Sequence, residues 1–411
     1  MTIPYWTNSR VMKQMRWVVW VALAILFFSC EQKGQQKKVN KKSKSLTECL
    51  GSPLTAEQDA AIRRQINAEA KVAQIQEIFR KKRLAGFNGN VLVAQKGVIL
   101  YQKSFGYAHL RDRDSLNNQH SFQLASLSKP FTAVAILKLQ EAGKLSLEDT
   151  IQRFFPDFPY KGIRLSSLLS HRSGLPNYAY SFMDSVRHGR KYPSNFEVMR
   201  WFATVKPTPQ RYNIPDRSFS YSNTNFLVLA AIVEKVSGMA FGDYLQKHIF
   251  EPLRMRHTFL ITKSADSTQR RTVGHQFGRV IPKDYYDNIV GDKGIYSTTE
   301  DLYHFYKGLH GGCLISKRTL REAFIPRSFE KKGMKNYGYG FRLHLDEQEE
   351  TRYIYHTGWW KGYNTMMWMS PEDDFVIIML SNSYNRTVYE VKSLLDVLHG
   401  EAQSDDVEKD I

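Results

Sequence analysis

A serine and a lysine stand three residues apart, at Ser126 and Lys129, where the apolar run 131–139 predicts a buried helix. Side chains with this spacing on a helix lie on one face, so the amine can reach the hydroxyl. A serine hydroxyl is a weak nucleophile near neutral pH, and a buried lysine near other positive charge can accept its proton. The spacing therefore predicts Ser126 as a nucleophile and Lys129 as its base.

Proline follows this pair, at position 130. Pro130 fits only where a helix begins, because deeper in the helix it would remove a backbone hydrogen bond. It also disfavours helical dihedral angles at Lys129. Ser328 and Lys331 have the same spacing, but no apolar helix follows them. We interpret that second pair as a surface coincidence.

A tyrosine and an asparagine, Tyr221 and Asn223, precede a second apolar run at 226–236 that also predicts a helix. A tyrosine hydroxyl near a lysine can relay a proton to a leaving group, and an asparagine amide can bind a substrate amide. Tyr286 and Asn288 repeat the spacing without a periodic segment beside them. We therefore assign the chemistry to Tyr221 and Asn223.

The third motif, His356-Thr357-Gly358, is placed by its sequence at the end of a predicted strand and before a turn. Glycine allows a substrate backbone to approach an edge strand, while His356 and Thr357 can hydrogen-bond a carboxylate or carbonyl. The alternative interpretation is an ordinary turn at the end of a strand.

The surrounding patterns predict an antiparallel sheet built from both ends of the chain. An amphipathic helix is expected at 55–83, with Thr55 as its cap, followed by a hairpin of strands 90–94 and 98–105. Three further strands are expected at 353–355, 363–369 and 375–380. The roughly two hundred residues between these groups are helical or irregular, which indicates a helical insertion.

Together, and in this order, the three motifs resemble those of penicillin-recognising serine hydrolases. This family includes class C β-lactamases, D,D-carboxypeptidases, D-amino-acid peptidases and β-lactamase-like esterases. The resemblance covers about 87–398 and extends to segments 168–176, 294–302 and 337–340. It implies one α/β (α+β) domain at 55–400, with an α/β lobe at about 55–135 and 290–400, a helical lobe at about 136–289, and a cleft between them.

The resemblance also implies roles for individual residues. Ser126 would be acylated, Lys129 would be its base and Tyr221 the proton relay. Asn223 would contact the substrate, while His356, Thr357 and Gly358 would line the strand wall. The backbone amides of Ser126 and Trp359 would form the oxyanion hole. His171 and His304 are expected to be scaffold residues.

Two departures from the family pattern bear on the substrate. His356 replaces the lysine that β-lactamases usually carry, and a neutral imidazole holds a carboxylate less firmly than an ammonium. We therefore expect esters or peptides of the D-amino-acid type rather than efficient β-lactam hydrolysis. Trp359 and Trp360 replace small residues, which indicates either an aromatic rim or buried packing.

The first thirty residues have the organisation of a signal peptide. Arg10, Lys13 and Arg16 precede the apolar run 17–28, which ends at Ser29-Cys30. The pattern resembles a bacterial lipoprotein signal in which Cys30 becomes acylated. We expect a signal at 1–30, a flexible basic linker at 31–54, a polar tail at 401–411 and a location on a membrane of the bacterial cell envelope. A retained signal anchor is the alternative.

The formal charge of +18 and the pI near 9.6 are partly local in origin. Six lysines fall in one polar segment, which indicates a solvated tail rather than a nucleic-acid surface. The six lysines are Lys33, Lys37, Lys38, Lys41, Lys42 and Lys44. The expected partner is a small-molecule or peptide substrate bound by a monomer.

The cysteines and the known cofactor motifs add little. Beyond Cys30 only Cys49 and Cys313 remain, and the sequence leaves their pairing open. No CxxC, HExxH or phosphate-loop motif indicates a metal or cofactor.

Three function classes compete for this sequence: a serine hydrolase that works through an acyl-enzyme, a cell-wall sensor that keeps the fold but has lost turnover, and a structural envelope lipoprotein. The presence of Ser126, Lys129 and Tyr221 together favours the hydrolase, because neither alternative requires all three.

Overall fold

The computed structural model describes residues 49–182, 193–261, 270–282 and 285–401. The signal segment with Cys30, the linker up to residue 48 and the tail at 402–411 lie outside the described residues.

The described chain alternates short helices with two groups of longer strands. The helices are α1 Ala56–Gln65, α2 Ala68–Leu84, α3 Lys129–Glu141, α4 Leu165–Leu169, α5 Tyr178–Ser181, α6 Asn195–Thr204, α7 Asn223–Ser237, α8 Phe241–Leu245, α9 Thr299–His310, α10 Lys317–Ala323 and α11 Lys392–His399. The strands are β1 Gly89–Gln95, β2 Val98–Phe105, β3 Tyr107–His109, β4 Asp114–Ser115, β5 Phe122–Gln123, β6 Phe259–Leu260, β7 His275–Gln276, β8 Arg279–Val280, β9 Ile295–Ser297, β10 Lys335–Tyr337, β11 Arg342–Leu345, β12 Thr351–Trp360, β13 Tyr363–Ser370 and β14 Phe375–Ser381.

The main sheet has seven strands in the order β10-β11-β12-β13-β14-β1-β2. Every neighbouring pair is antiparallel, and β1 joins the two ends of the chain by pairing with β14, for example Gly89 opposite Ser381. This confirms the prediction of an antiparallel sheet drawn from both termini. It also places the intervening helical residues outside the sheet.

Both faces of the sheet are covered. On one face, α2 and α11 pack with side chains such as Phe79 and Leu394 against outward-facing residues of β1, β13 and β14. On the other face, α3, α7 and α9 share a continuous apolar core with the sheet, in which Phe131 stacks on Phe305 at 4.0 Å. Strands β1, β13 and β14 are buried along their whole length because apolar layers cover them on both sides.

Several local predictions are confirmed, and one is wrong. The hairpin turns at Lys96-Gly97, where both residues have positive φ. Thr55 caps the first helix through a reciprocal bond with Gln58. The single helix predicted at 55–83 is instead two, α1 and α2, because Asn67 adopts the left-handed conformation at φ +53°. Asparagine tolerates this conformation, so the chain turns while the apolar spacing continues.

A disulfide joins Cys49 to Cys313 across 264 residues of sequence. It answers the question that the sequence left open, and it attaches residue 49, which we assigned to the flexible linker, to the folded domain. In the part of the chain that the structure describes, no single helix is long and apolar enough to cross a membrane.

Candidate active site

The nucleophile turn comes between β5 and α3. Residues Ala125–Ser128 form one 3₁₀ turn that continues into α3, so Ser126 lies at the positive end of a helix. Ala125 has φ +51°, a conformation that costs a residue with a Cβ about 1–3 kcal/mol. The carbonyl of Leu124 accepts from the Thr365 hydroxyl at 2.7 Å, which helps to hold this strained turn. Ser126 stays partly exposed, as an attacking group must be.

Lys129 is fully buried and its amine makes three hydrogen bonds. The nitrogen Nζ lies 3.0 Å from Ser126 Oγ, 2.9 Å from Asn223 Oδ1 and 3.0 Å from the backbone oxygen of Asp292. The last two oxygens carry no proton and can only accept. In its neutral form the amine would donate its two hydrogens to these oxygens and leave its lone pair for Ser126. This is the geometry that a general base needs.

The dihedral angles of Lys129 are helical, at φ −60° and ψ −40°. The expectation that Pro130 disfavours this conformation is therefore not met. The 3₁₀ turn already directs the chain into α3, and the three bonds of the buried amine outweigh a local backbone preference. Pro130 itself stands in the first turn of α3, as predicted.

Tyr221 and Asn223 lie at the start of α7, beside the base. The Tyr221 ring centre is 5.0 Å from Lys129 Nζ. On its other side it packs against the His171 ring at 4.2 Å. The His171 atom Nδ1 accepts from the Ser222 backbone amide, and burial holds the pKa of His171 well below its ordinary value, so this imidazole is neutral. The structure thus brings the Tyr221 ring next to Lys129, with His171 as packing support.

The third motif lies within a long strand rather than at its end. Strand β12 continues to Trp360, and the turn falls at Lys361-Gly362, where both residues have positive φ. The sequence placed this turn too early. Strand β11 pairs with β12 only as far as Tyr355, so among the described residues no strand covers positions 356–360 on that side. These positions form an open edge beside the nucleophile turn.

Gly358 is required by the protein itself. A Cβ at this position would lie 2.1 Å from the Leu124 backbone oxygen and 2.3 Å from Thr365 Oγ1. The strand can therefore approach the residues before Ser126 only because position 358 has no side chain. We had explained this glycine by the approach of a substrate backbone, whereas the contact in the structure is with the nucleophile turn.

That His356 lines the strand wall stays a prediction, and the structure shows that its side chain is enclosed. His356 is fully buried, its Nδ1 lies 2.8 Å from the Thr357 backbone oxygen and its Nε2 lies 3.2 Å from the Tyr337 hydroxyl. Burial, with the charges of Arg342 and Lys129, holds the pKa of His356 well below its ordinary value. The imidazole is therefore neutral, and a neutral imidazole holds a carboxylate less firmly than a cation does.

The two tryptophans have different environments. Trp359 is 59% exposed and meets Tyr384 edge to face at 6.4 Å, which makes it a rim residue. Trp360 is partly buried and donates from Nε1 to Asp287 at 3.1 Å. Trp359 therefore fits the interpretation as an aromatic rim, and Trp360 fits the interpretation as buried packing.

Sequence reasoning missed a buried polar cluster behind the base. The Tyr178 hydroxyl donates to Asp292 Oδ2 at 2.9 Å and accepts from Lys293 Nζ at 2.5 Å. These residues are at most 4% exposed, and it is the backbone oxygen of Asp292 that binds Lys129. Tyr178 and Asp292 are more than a hundred residues apart, so no local pattern could have joined them. The Asp292-Lys293 charge pair inside an otherwise apolar and glycine-containing segment was the available signal.

Arg342, which the sequence reasoning also missed, is a cation beside Tyr221. Its guanidinium lies 5.5 Å from the Tyr221 ring centre, and its Nε is buried with no hydrogen-bond partner among the described residues. It borders a cavity of about 320 Å³ and a second of about 140 Å³ that Thr357 also lines. The carboxylate in the larger cavity, Glu330, pairs with Arg172. The two cavities are therefore positively charged.

The competing motifs do not form a similar arrangement. Ser328 and Lys331 lie in irregular backbone between α10 and β10, without the helical turn that would bring them together. Tyr286 belongs to a 3₁₀ turn near Tyr178 and is not beside Lys129.

Comparison with known proteins decides the family. The model of the family described as Beta-lactamase matches residues 72–399. The chain belongs to the beta-lactamase family. Penicillin-binding protein 4* of Bacillus subtilis (strain 168) is 35% identical over 334 residues, which cover 77% of this chain and 73% of that protein. This beta-lactamase family member is therefore, in general terms, a serine hydrolase that works through an acyl-enzyme.

Solved structures agree on the fold of the beta-lactamase family. An octameric penicillin-binding protein homologue from Pyrococcus abyssi aligns with a TM-score of 0.69 and 26% identity, covering 80% of this chain and 77% of that one. A D-amino acid amidase from Ochrobactrum anthropi SV3 aligns with a TM-score of 0.67 and 23% identity, covering 81% and 99%. The second likeness shows the fold alone.

Replacing Gly358 by alanine should separate the strand from the nucleophile turn. Because the added Cβ meets backbone oxygen at 2.1 Å, we expect Ser126 to be displaced and its acylation rate to fall by about 10²-fold. The measurement is the labelling rate with a fluorophosphonate. Gly242→Ala in α8 is the control, because its Cβ would meet only the Leu260 side chain, at 3.3 Å or more. Equal labelling rates in both variants would contradict the assignment.

Proposed function

We propose that this protein cleaves peptides of the D-amino-acid type, or related amides and esters, that carry a free carboxylate close to the scissile carbonyl. The observation that carries the catalytic part is the buried amine of Lys129, 3.0 Å from Ser126 Oγ, with its two other contacts made to obligate acceptors. The observation that supports the carboxylate is Arg342 at the two cationic cavities beside Tyr221.

Acylation follows from this arrangement. Ser126 Oγ attacks the scissile carbonyl carbon while its proton passes to the lone pair of Lys129 Nζ. The carbonyl oxygen becomes negative and is stabilised by the backbone amides of Ser126 and Trp359, which we assign as the oxyanion hole. When the tetrahedral intermediate collapses, the bond to the leaving group breaks and a proton from Lys129 reaches that group through Tyr221. An ester of Ser126 remains.

Hydrolysis of the ester repeats these steps with water as the nucleophile. Lys129 has given up its proton to the leaving group and can accept one from water. Attack on the acyl carbon then releases the acid and restores the Ser126 hydroxyl. No metal or cofactor is needed for either half of this reaction, since a lysine base and fixed amide donors supply the proton transfer and charge stabilisation.

Recognition of the substrate carboxylate is assigned to Arg342 and Thr357. These two side chains line the same 140 Å³ cavity, next to the open edge of β12. An arginine fork binds a carboxylate through two parallel hydrogen bonds, and a threonine hydroxyl can add a third. Because His356 is buried and neutral, the cation lies on the neighbouring strand β11 instead of within the third motif. The similarity to penicillin-binding proteins agrees with a substrate that carries such a carboxylate.

We also propose that the protein is exported and held on a membrane of the bacterial cell envelope by acylated Cys30. The disulfide between Cys49 and Cys313 supports export, because such bonds persist in oxidising compartments. The lysine-rich segment after Cys30 would then be a spacer between lipid and domain.

Chemical labelling tests the nucleophile and base. A fluorophosphonate or a penicillin should label wild type on the peptide that contains Ser126. Ser126→Ala should remove the label, and Lys129→Ala should slow turnover by at least ~10³-fold, because the two residues act as a unit. Tyr221→Phe should cost less, about 10²-fold, since water can replace part of a relay. The control is Ser328→Ala, which should label normally, and label at Ser328 would refute the assignment.

Replacing Arg342 tests the carboxylate site. We expect Arg342→Ala to lower kcat/KM for an acyl-D-alanyl-D-alanine by about 10- to 100-fold, the loss expected for a hydrogen bond to a charged group. The C-terminal amide of the same peptide should be hydrolysed by the variant nearly as well as by wild type. Arg352→Ala is the matched control, since Arg352 pairs with Glu372 and Asp373. Equal losses on acid and amide would contradict a carboxylate-binding role.

Mass spectrometry tests the anchor. The membrane fraction of cells that produce the full chain should contain a mature protein that begins at acylated Cys30. Cys30→Ser should abolish acylation and leave the signal uncleaved. An unmodified mature N-terminus in the wild-type protein would refute the lipoprotein assignment.

A further inference from the structure

A second lysine is buried close to the base, and the reaction proposed above does not use it. Lys293 is 4% exposed and stands one residue after Asp292, whose backbone oxygen binds Lys129. Its ammonium meets the Tyr178 hydroxyl at 2.5 Å and lies 3.5 Å from Asp292 Oδ2. It also lies 5.2 Å from the ring centre of Trp360. Removing an ammonium from water is costly, so this pair needs an explanation.

Stability alone does not supply that explanation. A buried ion pair adds little net stability compared with apolar side chains of similar volume. The hydrogen bonding of this pair is also incomplete, because Asp292 Oδ1 is buried with no hydrogen-bond partner in the described part of the chain. What distinguishes the pair is its location, directly behind the general base.

The contacts of Lys129 are all neutral. Its amine binds a hydroxyl, a side-chain amide oxygen and a backbone oxygen. Within the described ranges, no carboxylate forms an ion pair with it. Asp292 presents its backbone oxygen to Lys129, but its carboxylate is bonded to Tyr178 and Lys293. A lysine beside an unpaired carboxylate would remain an ammonium and could not accept the proton of Ser126.

We propose that Lys293, with Tyr178, is a positioning residue for the catalytic step: it neutralises and directs away the carboxylate of Asp292, so that Asp292 offers Lys129 only its backbone oxygen. This inference rests on the function proposed above and explains how its base is kept available. Burial lowers the pKa of Lys293, and the carboxylates of Asp292 and Asp287 oppose that effect. The opposite charges of Asp292 and Lys293 therefore cancel, and the pair presents no net charge to Lys129.

Two helices hold the segment that carries Asp292 and Lys293, together with its partner Tyr178. The Gly291 backbone oxygen accepts from the Thr132 hydroxyl of α3 at 2.7 Å. The Tyr178 amide donates to the Thr224 hydroxyl of α7 at 2.8 Å. Tyr178 and Asp292 are thus held by the same two helices that carry Lys129 and Asn223. Because these residues are held in place, a change in the charge of the pair acts on Lys129 through the electrostatic potential rather than through side-chain movement.

Other charged or titratable groups surround both lysines and have to be separated from the effect. Burial keeps His171 and His356 neutral by lowering the pKa of each well below its ordinary value. Neither imidazole therefore titrates in the range where a lysine base would. The groups that face Lys129 are Tyr221, His171, His356, Asp292 and Lys293, and Arg342 lies further out, beside Tyr221. Those that face Lys293 are Asp292, Asp287, Tyr178 and Lys129.

The experiment is the pH dependence of the acylation rate of Ser126, followed with a fluorescent penicillin or a fluorophosphonate. The acidic limb of this profile reports the ionisation of the base in the free enzyme. Lys293→Met leaves the Asp292 carboxylate unpaired and removes a nearby positive charge. Both changes favour the protonated form of Lys129, so the midpoint of the limb should move up by about one pH unit or more. The rate below the wild-type midpoint should then fall about tenfold.

A double variant separates charge from packing. Asp292→Asn combined with Lys293→Met again presents no net charge to Lys129, so its midpoint should return to within about 0.3 unit of wild type. A purely structural role would make the double variant at least as impaired as Lys293→Met. Lys82→Met is the matched control, because Lys82 is also buried and pairs with Glu390 on the opposite face of the sheet. Its midpoint should not move.

The outcomes discriminate between the two proposals. A folded Lys293→Met with the wild-type midpoint, or a double variant that stays shifted, would overturn this inference while the hydrolase function stands. If wild type shows no labelling that depends on Ser126, the proposed function fails, and this inference fails with it. If Lys293→Met does not fold, Lys293→Gln decides, because it removes the positive charge beside Asp292 and keeps a polar side chain. An upward shift supports the proposal and an unchanged midpoint refutes it.

Discussion

A lysine amine that is fully buried, and that meets only neutral oxygens, is the constraint on which the rest of this structure depends. To satisfy Lys129, three distant parts of the chain have to meet: the turn that carries Ser126, the start of α7 with Asn223, and the Asp292 segment. Each contributes one contact at about 3 Å. A buried amine without a hydrogen-bond partner destabilises the fold by more than one formed hydrogen bond stabilises it. The position of α3 against α7 therefore has to be accurate.

The sheet supplies the second half of the site under an equally strict limit. Strand β12 lies against the residues before Ser126 with no space for a side chain at Gly358. Its neighbour β11 stops pairing at Tyr355, so the edge of β12 beside the nucleophile stays open. This open edge follows from the different lengths of β11 and β12. The same arrangement places Arg342, at the end of β11, next to Thr357 of β12.

Local parts of this site could be predicted from the sequence, and tertiary parts could not. The one-turn spacing of Ser126 and Lys129 predicts their contact, and the β-rich runs of β1, β13 and β14 predict the central sheet. The enclosure of His356 could not be predicted, because the burial of a strand residue depends on the neighbour that covers it, here Tyr337 of β10. Strands β10 and β11 are three and four residues long, too short for a periodic pattern. The Tyr178 and Lys293 contact depends on chain segments 115 residues apart.

The choice between a hydrolase and a sensor that is acylated but does not turn over depends on what happens to the base after acylation. In such a sensor, Lys129 would have to be protonated or displaced once Ser126 is acylated. Here the acceptors of its two N–H groups, Asn223 and the Asp292 backbone, lie outside the bond that forms and do not change when Ser126 becomes an ester. The amine therefore keeps its position, and once its proton has passed to the leaving group its lone pair again points to the space where water must attack. A site that rebuilds its base in this way is arranged for both halves of a hydrolytic cycle, which favours turnover over retention of the acyl group.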